Sequence, residues 1–131
     1  MQLIVTPVYA AVIALMILLM AYRVVQLRRS EKVALGDGGN EKLRRAMAVH
    51  SHALENAPLS LLLMLMLELN GFDWRFMHLL GVGLVFSRLL HFYGQSRLTA
   101  LSFGRYWGTV INWLLIVLMA TLNIVLVVGA Q

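Results

Sequence analysis

The sequence predicts an all-α integral membrane protein, a bundle of four helices, and three observations carry that expectation. The chain is 60% hydrophobic and 13% charged, with a mean hydropathy of +0.79, far from the mixture of an ordinary soluble domain. Its apolar residues gather in four long runs, each near the about 20 residues that a membrane-crossing helix requires. The charged residues fall between those runs, and 131 residues hold four spans and short connections with no room left for a soluble domain. The absence of cysteine excludes a disulfide framework, a thiolate nucleophile and a thiolate metal ligand. A net charge of +5 would suggest nucleic acid in a soluble protein, but here the basic residues flank membrane segments. They read as topology signals that meet anionic lipid headgroups, with no nucleic-acid partner.

The first helix is expected over about residues 3–30. Leu3 to Tyr22 is almost wholly apolar, and it lacks the basic start, the short core and the small-residue cleavage pattern of a signal peptide. Pro7 falls in its first turns, where proline is best tolerated. Arg23, Arg28, Arg29, Lys32, Lys42, Arg44 and Arg45 then outweigh Glu31, Asp37 and Glu41, which places this loop on the cytoplasmic side. The basic side chains near Arg28 are expected to snorkel to headgroups. Gly36-Asp37-Gly38-Gly39 makes a turn without the lysine of a phosphate-binding loop, and Asn40 is placed to cap the next helix.

That second helix, about residues 41–69, ends at Asn70-Gly71. Leu59 to Leu67 is too short to span alone, so the membrane must also take Ala53 to Pro58 and His52, which sinks Glu55 below the headgroups. At about 100° per residue, Arg44, Ala48, Ser51 and His52 lie within roughly 60° of Glu55, with Arg45 beside them. This stripe reads either as a site or as a structural His52–Glu55 pair. His50 and Asn56 are expected to point elsewhere, Pro58 to kink the helix, and Glu68 to sit as a solvated or interfacial carboxylate.

Trp74 marks the far interface, and the third helix, about residues 76–95, aligns Gly81, Leu84, Arg88, His91 and Gln95. Gly81 and Gly83 allow a neighbouring helix to come close. Residues 93–106 read as a loop or short surface helix, whose Arg97 and Arg105 again point to the cytoplasm. The fourth helix, about residues 106–128, aligns Arg105, Gly108, Thr109, Asn112, Met119 and Asn123, with the two asparagines expected to bond between helices. Both termini then lie on the non-cytoplasmic side.

The run VALGDGGNEKLRRAMAVHSHALENAPLSLLLMLMLELNG followed by SRLLHFYG resembles the MAPEG family, the membrane-associated proteins in eicosanoid and glutathione metabolism, and its small bacterial branch in particular. The resemblance spans nearly the whole chain as one domain and implies a homotrimer in the bacterial inner membrane. It also implies glutathione as co-substrate, bound between subunits near the cytoplasmic face, and a hydrophobic electrophile arriving from the bilayer. The family signature Arg-x-x-x-Asn-x-x-Glu-x-x-Pro is met at Glu55 and Pro58, with Ala48 in the arginine position and His52 in the asparagine position. By resemblance Glu55 would take the glutathione amino group and basic residues its carboxylates, with Arg45 reaching in from beside Ala48. Arg88 and Gly94 match, His91 and Gln95 stand where glutathione-using members often carry tyrosine, and Tyr93 adjoins them. The thiol-activating arginine aligns with Ser102 without a gap or with Arg105 after a three-residue shift. Arg105 and Arg97 are the candidate cations for that role, since a positive charge beside sulfur favours the thiolate.

The implied activity is a glutathione-dependent transferase, with peroxide reduction as a variant. Three other classes compete: a non-catalytic scaffold or lipid-binding member, a small proton-coupled transporter built on His52 and Glu55, and a haem protein. The four histidines provide no facing pair for haem, His78 and His91 being about 20 Å apart along one helix, and no metal site is expected.

Overall fold

Four helices form, and the residues that begin and end each one account for its limits. The computed structural model describes residues 3–96 and 103–130, and there the order is α1 Thr6–Ser30, α2 Glu41–Leu69, α3 Trp74–Ser96 and α4 Phe103–Gly129. All four are long and apolar enough to cross a membrane.

Helix α1 starts at Thr6, three residues later than expected, because Ile4, Val5 and Thr6 turn their amides onto the carboxylate of Glu68 at 2.6, 2.7 and 2.7 Å. No side chain of the helix's own N-terminus caps it, so a residue from the far end of α2 satisfies its orphan donors and opposes the positive end of its dipole. Glu68 is therefore a tertiary cap, not the free interfacial carboxylate that its position suggests. At the other end Lys32 takes a left-handed φ of 55°, and the Val33 amide reaches back to the Arg28 carbonyl at 3.0 Å. Arg28 also turns to the protein: its Nη1 donates to the Gly36 carbonyl at 2.8 Å and clasps the loop.

Asn40 caps α2 as its sequence position requires, its side-chain oxygen accepting from the Leu43 amide at 3.0 Å. The turn before it needs Gly38, which has φ 57° and where a Cβ would lie 2.6 Å from Val33. Helix α2 runs unbroken through Pro58 and closes at Gly71 with φ 74°, the Phe72 amide bonding the Leu67 carbonyl at 3.1 Å. Helix α3 begins at Trp74 instead of residue 76 because Asp73 Oδ1 accepts from the Arg75 amide at 2.8 Å. Helix α4 begins at Phe103, three residues before the expected start.

The apolar core is built from Val5, Ile13, Ala57, Met64, Leu67, Met77, Leu80, Leu84 and Met119, with a smaller cluster of Met20, Val49 and Ala53 on the basic side. Lipid tails are as apolar as these side chains, so polar contacts and close packing must fix how the helices meet. Asn123 Nδ2 donates to the Leu63 carbonyl at 3.0 Å and joins α4 to α2. Gly108 lets α4 lie against α3, where a Cβ would come 2.7 Å from the His91 nitrogen and 2.8 Å from the Ser87 carbonyl oxygen. Gly81 receives the ring of Tyr9, bringing α1 onto α3.

Candidate functional site

The closely packed α3–α4 seam, together with α2, encloses a polar centre nearer the basic end of the bundle. Arg88 on α3 is 3% exposed, which puts a guanidinium inside a membrane protein. Its Nη1 lies 3.1 Å from His52 Nδ1, while Nε and Nη2 have no hydrogen-bond partner and no access to solvent. Guanidinium only donates, so His52 Nδ1 accepts and the ring proton of a neutral His52 resides on Nε2. His91, 6% exposed and one turn along α3, stacks on His52 with ring centroids 4.1 Å apart and planes 10° from parallel.

The His52 backbone is held in turn. Asn56 Nδ2 donates to the His52 carbonyl at 2.9 Å, and Asn112 Nδ2 donates to Asn56 Oδ1 at 3.4 Å. Ser60 bonds the Asn56 carbonyl at 3.0 Å and reaches Asn112 Oδ1 at 3.4 Å. A polar ladder thus runs from α4 through α2 to Arg88. Asn56 was expected to point away, and the structure corrects this. Counting rotation from His52 instead of Glu55 puts Asn56 only about 40° off that axis, so the inner stripe was present in the helix geometry.

The structure brings His52, Arg88 and His91 into contact. Glu55 stands on the exposed outer side of α2, close enough to act electrostatically on His52, and forms no hydrogen bond with a described residue. Of the two readings of the stripe, the structural His52–Glu55 pair is not formed: His52 bonds Arg88 instead. Arg45 Nε donates to Glu41 at 2.8 Å, and Arg44 pairs with the same carboxylate. Tyr93 and Arg105 are exposed, Arg105 acting electrostatically on His91 and accepting at its carbonyl from Thr109 Oγ1 at 3.0 Å. Arg97, Ser102 and the Gln95 side chain lie outside the described residues.

Among the described residues no carboxylate pairs with Arg88, whose one hydrogen-bond partner is His52. Leaving such a charge unpaired costs several kcal/mol unless an anion or ordered water completes it. With two buried donors unpartnered and an imidazole pair at its side, the centre carries a positive charge that its neighbours do not compensate. No group of three or more potential metal ligands occurs among the described residues.

Four long apolar helices around an intramembrane cationic centre define a membrane-embedded helical bundle with a polar site in its basic half. The chain belongs to the MAPEG family, whose model matches residues 6–125. It is also similar to the inner membrane protein YecN of Escherichia coli strain K12, and equally to that of strain O6:H1. In each case 35% of 120 residues are identical, covering 92% of this chain and 90% of the relative. The all-helical membrane fold and the family resemblance read from the sequence both stand.

Proposed function

We propose that this protein is a glutathione-dependent transferase of the inner membrane, acting on lipophilic electrophiles, with lipid hydroperoxides as a second substrate class. The observation that carries the reading is Arg88, buried with two unpartnered donors beside His52 and His91. In this reading a glutathione carboxylate completes the Arg88 guanidinium through charge-assisted hydrogen bonds. Glu55 takes the peptide's amino group from the exposed side of α2, and a neighbouring copy in a homotrimer closes the site over it. Exposed Glu55, Tyr93 and Arg105 support that assembly, because charged and polar side chains on a membrane helix need burial against protein or water. Arg105, already felt by His91, holds the sulfur as thiolate, and Arg97 is the second candidate for that role. Carbon–sulfur bond formation with an electrophile from the bilayer then requires mainly alignment.

The YecN relatives' name supports the inner membrane as location, and the basic loops support placing both termini on the opposite face. A non-catalytic scaffold or lipid-binding role is the second reading, favoured by Ala48 and His52 at the signature's arginine and asparagine positions. The proton-coupled transporter loses its motive here, since His52 bonds Arg88 instead of Glu55.

Ultraviolet difference titration of the purified protein with glutathione separates these readings. Saturable thiolate absorbance that disappears in Arg105→Ala, with binding lost in Arg88→Leu, supports the transferase. Absence of binding at millimolar glutathione by folded protein favours the scaffold.

A further inference from the structure

The opposite end of the bundle contains a cavity away from the Arg88 centre. It measures about 470 Å³, within the range of small-molecule sites, and Ile4, Val5, Glu68, Phe72, Trp74 and His78 are among the residues that line it. Aromatic and aliphatic walls dominate. The Glu68 carboxylate accepts from three backbone amides, and His78 is the ionisable side chain beside it that can both donate to and accept from a ligand. Its Nδ1 lies 3.0 Å from the Tyr9 hydroxyl, and its Nε2 is bonded by no described residue.

Tyr9 gives that imidazole two hydrogen-bonded states, because the same hydroxyl is also 3.2 Å from the His78 carbonyl oxygen. When the hydroxyl donates to Nδ1, the ring proton sits on Nε2, which then donates to a ligand carbonyl. When it donates to the backbone carbonyl, Nδ1–H donates to the tyrosine oxygen and Nε2 accepts from a ligand hydroxyl. One nitrogen can thus serve a carbonyl compound and the alcohol or phenol made from it by two-electron, two-proton reduction. Trp74, edge-on to His78 at 5.9 Å, and Phe72 provide flat apolar surface for a ring. A neighbouring apolar groove of about 640 Å³ between α3 and α4 shares Gly71 and Phe72 with this cavity, and leucines at 79, 115, 118 and 122 extend it. That groove has the character an alkyl or isoprenoid tail requires.

We propose that this end of the bundle binds a lipophilic quinone and its hydroquinone through His78, with Tyr9 selecting the tautomer. Binding is the whole of the proposal and it is independent of the glutathione reading, since Arg88 lies ten residues, about 15 Å, further along α3.

The test uses the full chain in nanodiscs and decylubiquinone as probe. Quinone binding is read by quenching of tryptophan fluorescence and the reduced form by competition against it. The expected result is saturable binding of both forms with affinities within about tenfold of each other. His78→Phe, which keeps a ring against Trp74, weakens both at least tenfold while helicity and glutathione binding stay unchanged. Tyr9→Phe, whose ring still rests on Gly81, widens the ratio between the two forms. Non-saturable partitioning, affinities untouched by His78→Phe, or a hundredfold preference for one form in the unmodified protein would overturn the proposal. A ratio unmoved by Tyr9→Phe would overturn the tautomer relay. If His78→Phe fails to fold, the comparison of the two forms on unmodified protein still decides.

Discussion

Arg88 and Glu68 are both charges held within membrane-spanning helices, and the protein treats them in opposite ways. Glu68 closes on three amides at 2.6–2.7 Å and joins the start of α1 to the end of α2. Arg88 has one imidazole partner and two donors left bare. A satisfied charge contributes to the fold, because its desolvation is offset by the bonds it accepts. An unsatisfied one opposes the fold, because nothing offsets its desolvation. The two charges thereby separate a helix cap from an uncompensated centre.

The largest expected effect breaks that comparison at Arg88. Arg88→Leu should weaken glutathione binding by about a hundredfold, near 3 kcal/mol, while thermal stability holds or rises because an unpaired buried charge is gone. Calorimetric titration beside a melting curve checks both, and a large drop in melting temperature would assign Arg88 to the fold after all. Glu68→Ala is the mirror case. It should cost about 2 kcal/mol of stability through the lost cap on α1, read by denaturation in mixed micelles, with glutathione affinity unchanged.

Asn112→Ala tests the ladder that leads from α4 to Arg88. It strips a partner from Asn56 and Ser60, and should cost about 1 to 2 kcal/mol of stability with a several-fold loss of glutathione affinity transmitted through His52. If affinity stays constant, Asn56 and Asn112 only tie helices together. The smallest effect sharpens the comparison by addition. Ala48 is exposed on α2, so Ala48→Arg restores the family's charge without a clash and should tighten glutathione binding several-fold, about 1 kcal/mol. Weaker binding would show that this chain's centre has been rebuilt for another anion.

Much of the bundle was legible because local chemistry sets it. Asn40 caps α2 through its own side chain, and Asn70-Gly71 ends it through a left-handed glycine, both events within a few residues. The polar centre was legible in part: His52, Arg88 and His91 stood out as ionisable groups on apolar helices. Asn56 was missed by centring the stripe on Glu55, and the Arg28 contact by treating every flanking cation as headgroup-bound, although the adjacent glycine turn exposes carbonyls that a guanidinium can take. The start of α3 was placed late because the Asp73 cap went unrecognised.

Composition, run length and charge placement by themselves determined a four-helix membrane protein, since twenty-odd apolar residues with charged ends have one stable arrangement in a bilayer. Helical periodicity also determined the direction in which each side chain leaves its helix. Only the tertiary structure decided what lies there. His52 and Arg88 are 36 residues apart, and Glu68 and Thr6 are 62 apart. Whether such pairs meet depends on the rotation and axial offset of whole helices, set by close approaches such as Tyr9 on Gly81 and His91 on Gly108. Those offsets are collective properties of packing, and no stretch of the chain specifies them alone.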